Sequence, residues 1–325
     1  MKRLAISLFL VLALTLTLVT GCTSQSTPPV TLSGKLPIFH AGSLTIPFAQ
    51  ISEEFNKLYP DVEILTEGAG SQTTIRKVTE LYKECGVIGS ADYSIIPQLM
   101  FSEYADWYII FATNQMCIAY TDKSQFSDEV NGDNWHEILQ RDEVKYGRSD
   151  PDQDPCGYRT LMVWQLAEAH YGASGLYDKL YEAKGDVMRP TSVNLVALLE
   201  SGDLDYAFEY SSVAAQHNLN YVILPPEINL SSEEYNDFYA TAQVEISGNK
   251  PGETIAKKGK SIVYGVTIPN NFPRREIAIA WVNFLLSPEG MAIMEANGQP
   301  PITPAVTNDK GKLPDELRKY VTETD

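Results

Sequence analysis

The sequence predicts an α/β protein of two lobes joined by crossover strands. Short apolar runs of strand character alternate with amphipathic helical segments along the body of the chain, the pattern of strands linked by helices. No Pro/Gly/Ser-rich linker interrupts that alternation, so strands must carry the chain between lobes. Two apolar runs are candidates, "TNQMCIAYT" going out and "SIVYGVTIP" coming back. They divide the body into lobe 1, residues 36–116 plus 265–325, and lobe 2, residues 117–264. In open α/β sheets ligands bind beyond the carboxyl ends of the strands, here between the lobes.

Taken in order, "MKRLAISLFLVLALTLTLVTGC" begins with Lys2 and Arg3 and continues as an apolar run short for a membrane span. It predicts a signal peptide over residues 1–21. Its Val19-Thr20-Gly21-Cys22 ending resembles a lipobox, which would make Cys22 the lipidated first residue. The competing reading is an uncleaved anchor helix; both place the body at the extracellular face of the cell membrane. Residues 22–35, rich in Ser, Thr and Pro, read as a flexible tether. The body then opens near Leu36 with the strand "LPIFHAG" and a helix from Leu44 to Leu58, with Phe48, Ile51 and Phe55 on one stripe.

"DVEILTEGAGS" and "GVIGSADYS" read as further strands and "IRKVTELYKEC" as a helix, while "YIIFATNQMCIAYTD" reads as one long apolar strand run. A helix from Pro155 to Tyr171 should place Tyr158, Met162, Leu166 and Ala169 on a shared face. "SVNLVALLESGD" is a helix that Gly202 can close, and Ser287 caps a C-terminal helix with Pro288 at its first position.

The bulk numbers narrow the function. The 325 residues, 44% apolar and 21% charged, allow two cores and exclude a disordered or disulfide-dense chain. A net charge of −17 argues against a broad nucleic-acid surface. No stripe suggests oligomerisation, so a monomer is expected. Cys85, Cys117 and Cys156 form no C-x-x-C and have no nearby histidine, which argues against a zinc site. A Cys85–Cys117 bridge and buried free thiols both stay open. The chain lacks a G-x-S-x-G elbow, and His40, His136, His170 and His217 are scattered, so no catalytic motif stands out.

Three stretches could carry chemistry. In "HAGSLT" and "GAGSQTT", Ser43 and Ser71 each stand where a strand gives way to a helix. Each is an ordinary helix cap or, together, a pair of hydroxyls at one rim beside unpaired N–H groups, an anion cleft. "SDPDQDPCGYRT" packs Asp150, Asp152 and Asp154 into five positions. A calcium loop fails there, because Pro155 replaces the required Gly and Leu161 the required Glu. Asp154 before Pro155 is a good helix cap, and Arg159 could serve as an ion-pair partner.

"FHAGSL", "GSQTTIRKVTEL", "GSADYSIIPQLM", "EYADWY", "DNWHEILQR", "DPCGYR", "LDYAFEYSSVAAQHNL" and "PPEINLS" together resemble the archaeal-type tungstate/molybdate-binding proteins of ABC importers. The resemblance runs from about Leu36 to Pro304. It implies a class II periplasmic-binding-protein fold, each lobe a mixed sheet flanked by helices with the ligand in the cleft between them. It implies a lipoprotein that delivers tungstate or molybdate to a permease and its ATPase, with no cofactor and no enzymatic activity. Ser43 and Ser71 match the hydroxyl donors to the oxyanion. Asp154 and Glu209 match two carboxylates that bind the metal centre itself and raise its coordination from four to six. The backbone N–H groups of Cys156, Gly157 and Tyr158 are implied as further donors. A phosphate receptor with a plain hydrogen-bonding cleft is the nearest alternative.

Overall fold

Segments that follow two strands of one sheet contact segments of the other lobe: Gly42 meets Val193, and Gly70 meets the Gln153 carbonyl. The computed structural model describes residues 31–248, 250 and 252–324. The expected signal peptide, Cys22 and the tether as far as Val30 lie outside the described residues. The strands are β1 (Gly34–Ala41), β2 (Val62–Ala69), β3 (Val87–Ser90), β4 (Ile109–Thr113), β5 (Met116–Tyr120), β6 (Tyr146–Ser149) and β7 (Asp186–Arg189). They continue with β8 (Tyr206–Tyr210), β9 (Asn220–Ile223), β10 (Gln243–Ser247), β11 (Thr254–Lys258), β12 (Val263–Thr267), β13 (Pro301–Thr307) and β14 (Val321–Glu323). The helices are α1 (Thr45–Leu58), α2 (Ser71–Thr79), α3 (Ile95–Met100), α4 (Trp135–Ile138), α5 (Pro155–Tyr171) and α6 (Leu176–Tyr181). The last five are α7 (Val193–Ser201), α8 (Ser211–Gln216), α9 (Asn236–Tyr239), α10 (Arg275–Leu285) and α11 (Pro288–Ala296).

Two mixed sheets result. The larger runs β14-β13-β4-β12-β3-β1-β2 and the smaller β7-β6-β8-β5-β9, with β10 and β11 as a separate hairpin. β1 lies parallel to β2 and β3, and β6 lies parallel to β7 and β8. β1 begins at Gly34, so two residues of the expected tether are strand. Val263 and Tyr264, assigned above to lobe 2, belong to the larger sheet, and Met116 belongs to the smaller one.

The long apolar run expected over "YIIFATNQMCIAYTD" is two strands in different sheets, broken at Asn114 and Gln115. Asn114 is buried, and its amide donates to Ser212 Oγ and Tyr264 Oη, both at 2.8 Å. Its Oδ1 accepts from the Gln115 N–H at 2.9 Å. A buried Asn paired on both sides fixes where the chain leaves one sheet for the other.

The helices follow the hydrophobic pattern. In α1, Phe48, Ile51 and Phe55 are fully buried, and Phe48 meets Trp281 of α10 edge to face with centroids 4.9 Å apart. The apolar character of α10 and α11 is that packing, and no single described helix is long and apolar enough to cross a membrane. α5 spans the residues expected and ends on Gly172 in the left-handed region at φ 64°. Its predicted single face is wrong: Pro155 to Ala167 is buried on nearly every side, while Ala169 is exposed. The cause is its place between the sheets. Tyr158 and Arg159 reach Asp92 and Ala91 beyond β3, while Trp164 packs on Phe208 of β8. Cys85, Cys117 and Cys156 are buried free thiols, which resolves the open bridge.

Candidate functional site

Four strand ends converge. Ser43 follows β1 and Ser71 follows β2, neighbouring parallel strands of the larger sheet. Asp154 follows β6, and Glu209 stands near the carboxyl end of β8, its parallel neighbour in the smaller sheet. Two pairs of polar side chains therefore lie at carboxyl edges, where α/β sheets hold ligands.

Direct contacts bring the two edges together. Gly70, just before Ser71, lies so close to the Gln153 carbonyl that a Cβ would collide with it. A Cβ on Gly42, just before Ser43, would come within 2.9 Å of Val193 at the start of α7. Gln72 Nε2 donates to Pro151 O and Arg76 Nη1 to Asp152 O, both at 3.0 Å. The start of α7 is the hub: the Ser192 N–H donates to Asp154 Oδ2 at 2.9 Å, and the Ser192 hydroxyl lies near Glu209.

The serines are not helix caps. Ser43 sits in a 3-10 turn without a side-chain cap bond, and its Oγ accepts from Tyr264 Oη at 2.9 Å. Gln299 Nε2 holds the Ser43 carbonyl at 2.8 Å. Ser71 is the first residue of α2, and its Oγ accepts the Ala91 N–H at 3.0 Å. Both hydroxyls are buried, both accept, and neither donates to a partner among the described residues. Each keeps a proton to give to an acceptor in the cleft.

The carboxylates are arranged the opposite way. Asp154 caps α5, Oδ1 taking the Cys156 N–H at 3.2 Å while Oδ2 takes Ser192. Glu209 is fully buried, and among the described residues neither of its oxygens has a hydrogen-bond partner of normal geometry. Burial pushes the Glu209 carboxyl well above the usual range; nearby Asp154 pushes it further, and the Ser192 hydroxyl and Tyr210 N–H offset part of that. Burial likewise raises Asp154, against the Ser192 and Cys156 N–H groups and the Arg159 charge.

Two of the three α5 N–H groups expected as donors have partners within the chain. The Cys156 N–H is held by Asp154 Oδ1 and the Gly157 N–H by Asp154 O at 2.9 Å. Gly157 is Gly because a Cβ would strike the Ser149 carbonyl. Tyr158 turns its hydroxyl away to Asp92 Oδ2 at 2.6 Å. Asp150 and Asp152 brace the loop: Asp150 Oδ1 takes the Asp152 N–H, and Asp152 Oδ1 takes the Ser247 N–H. Among the described residues no three His, Cys, Asp or Glu side chains group as a metal-cation site.

Sequence reasoning missed Ser192, Tyr264 and Gln299. Ser192 carried a signal, as the first residue of a helical pattern, but its partner lies 38 positions earlier. Tyr264 and Gln299 gave none, because they reach Ser43 from 221 and 256 positions away.

The fold and these strand-end polar groups define a two-lobed solute receptor. The family model for bacterial extracellular solute-binding proteins matches residues 36–299, and the chain belongs to that family. It is 50% identical over 291 residues to an uncharacterized solute-binding protein of Petrotoga mobilis, covering 89% of this chain and 91% of that one. It is 43% identical over 317 residues to the molybdate/tungstate-binding protein WtpA of Pyrococcus abyssi, covering 89% of this chain and 90% of the relative. Among solved structures, the periplasmic molybdate-binding protein of Azotobacter vinelandii shares the fold at TM-score 0.60 and 17% identity, covering 81% of this chain and 98% of that one. The sulfate-binding protein SubI of Mycobacterium tuberculosis shares it at 0.62 and 12%, covering 82% and 87%.

Proposed function

We propose that this protein is the substrate-binding lipoprotein of an ABC importer, captures tungstate or molybdate outside the cell and delivers it to the permease. The observation that carries the reading is the opposed arrangement of donors and acceptors. Two buried hydroxyls have protons to give, and a buried carboxylate has lone pairs with nothing to receive. The ligand that satisfies both has acceptor oxygens around an electrophilic centre. Hexavalent tungsten or molybdenum accepts two further hard oxygen ligands, and Asp154 and Glu209 supply them while Ser43 and Ser71 orient the anion's own oxygens.

The same pair of carboxylates discriminates. A carboxylate 4 Å from a unit negative charge is repelled by about 4 kcal/mol at an effective dielectric near 20. Sulfate meets that repulsion with no bond in return, since its sulfur accepts no further ligand. The likeness to the Pyrococcus abyssi relative supports the same ligands. Anchoring through lipid on Cys22 is part of the reading, and a Cys22→Ser protein is expected in the culture medium rather than the membrane fraction.

One observation favours a second reading. The raised Glu209 carboxyl, if protonated, would donate to phosphate or another plain oxyanion. Titration calorimetry with tungstate, molybdate, sulfate and phosphate separates the two. Tight binding of the first two alone, weakened at least about 100-fold by Asp154→Ala or Glu209→Ala, is expected, a loss of roughly 2.7 kcal/mol or more. Comparable sulfate or phosphate binding in the wild type overturns it. The pH dependence carries the same sign test. Coordination needs the ionised carboxylate, so tungstate affinity should rise with pH; donation by a protonated Glu209 would make affinity fall.

A further inference from the structure

We propose that a cavity apart from the cleft, between the β3–α3 turn, α5 and the end of β11, is an anion site for one small tetrahedral oxyanion. The cavity measures about 130 Å³ and is lined by Arg159, Lys257, Lys258 and Lys260. At about 30 Å³ per water it holds roughly four waters, or one phosphate-sized ion. Asp92 is the one carboxylate on its wall, and both its oxygens are occupied. Oδ1 takes the Ser94 N–H at 2.9 Å and hydroxyl at 2.8 Å; Oδ2 takes Tyr158 Oη at 2.6 Å and Lys257 Nζ at 2.8 Å. Lys257 pairs with Asp92 and the Arg159 charge also acts on it, so one carboxylate stands against the four cations Arg159, Lys257, Lys258 and Lys260 on the cavity wall.

Two details point inward. Ser261 lines the cavity, is 5% exposed, and its Oγ has no hydrogen-bond partner among the described residues. Arg159 is 4% exposed and uses only Nη1, on Ala91 O at 2.8 Å and Tyr210 Oη at 2.6 Å, among the described residues. A guanidinium with unused donors and an unpartnered buried hydroxyl are what a small oxyanion would satisfy. Four cations against one carboxylate in a single cavity stand out in a chain of 25 basic and 42 acidic residues. Asp92 follows β3 of the larger sheet, while Arg159 follows β6 of the smaller. An anion there would bridge both sides and favour the closed form.

The site does not depend on which anion fills the cleft, although its test uses the proposed ligand. Inorganic phosphate is titrated calorimetrically into protein saturated with tungstate, which occupies the cleft. One phosphate should bind per chain, and Lys260→Gln with Ser261→Ala should weaken it at least 10-fold. Tungstate affinity without phosphate should stay unchanged in that variant. Absence of phosphate binding to the loaded protein, or binding indifferent to the two substitutions, overturns the proposal. Failure of tungstate to load counts against the cleft reading alone. The two substitutions, outside the cleft, still separate phosphate in the cavity from phosphate elsewhere.

Discussion

Glu209 occupies a position where an apolar side chain would serve the fold better. It is fully buried on β8 beside Cys117 of β5, and among the described residues neither oxygen has a hydrogen bond of normal geometry. Because its folded pKa is raised, the folded chain holds a proton that the unfolded chain releases, so stability declines as pH rises above the unfolded value near 4.3. Glu209→Gln removes that dependence. Thermal unfolding of the ligand-free protein should show the variant more stable than wild type, by a larger margin at pH 8 than at pH 5, while tungstate binding is lost. Equal margins at the two pH values would mean that Glu209 is ionised in the folded state. At this scale the sequence was legible wherever a residue's role is local: Asp154 before Pro155 announces its cap. It was least legible where two residues far apart share a hydroxyl, as Tyr264 and Ser43 do.

The elements around the site are held by close approach. Gly70 lets α2 start against the Gln153 carbonyl, and adding a Cβ forces the two apart. Overpacking of this kind costs about 1–3 kcal/mol. Gly70→Ala should therefore weaken tungstate binding by roughly 5- to 150-fold, read by calorimetry, with the melting point of the ligand-free protein little changed. Asp92 and Lys257 tie the turn after β3 to β11, both nearly buried. Burial alone would raise the Asp92 carboxyl, but Lys257 and Arg159 outweigh it and hold it well below the usual range. Its contribution is thus complete above the unfolded value near 3.9 and is lost as pH falls below that value. Asp92→Asn strands a buried Lys257 charge at a cost of about 3–5 kcal/mol. Chemical denaturation at pH 7 should show that loss, and the gap to wild type should narrow toward pH 3. The start of α5 was readable from Asp154 before Pro155. Its all-round burial was not, because a 3.6-residue period describes one apolar face and a helix wedged between two sheets has none to spare.

Across the whole molecule, the contacts of Gly42, Gly70, Gln72 and Arg76 hold the two sheets' carboxyl edges closed over the site. The alternation of strands and helices made the α/β class readable from the sequence. The exact crossing was not readable, because Asn114 interrupts an apolar run that period alone would continue. The four residues expected to bind the anion fall on two pairs of neighbouring strand ends, which no single motif could have indicated. The central claim is that Asp154 and Glu209 bond to the metal of the anion rather than merely surrounding it. X-ray absorption at the tungsten edge of the tungstate complex tests it directly. Six oxygen neighbours, two of them at longer distance and absent in Asp154→Ala, are the predicted result; a four-coordinate spectrum matching free tungstate would contradict the account.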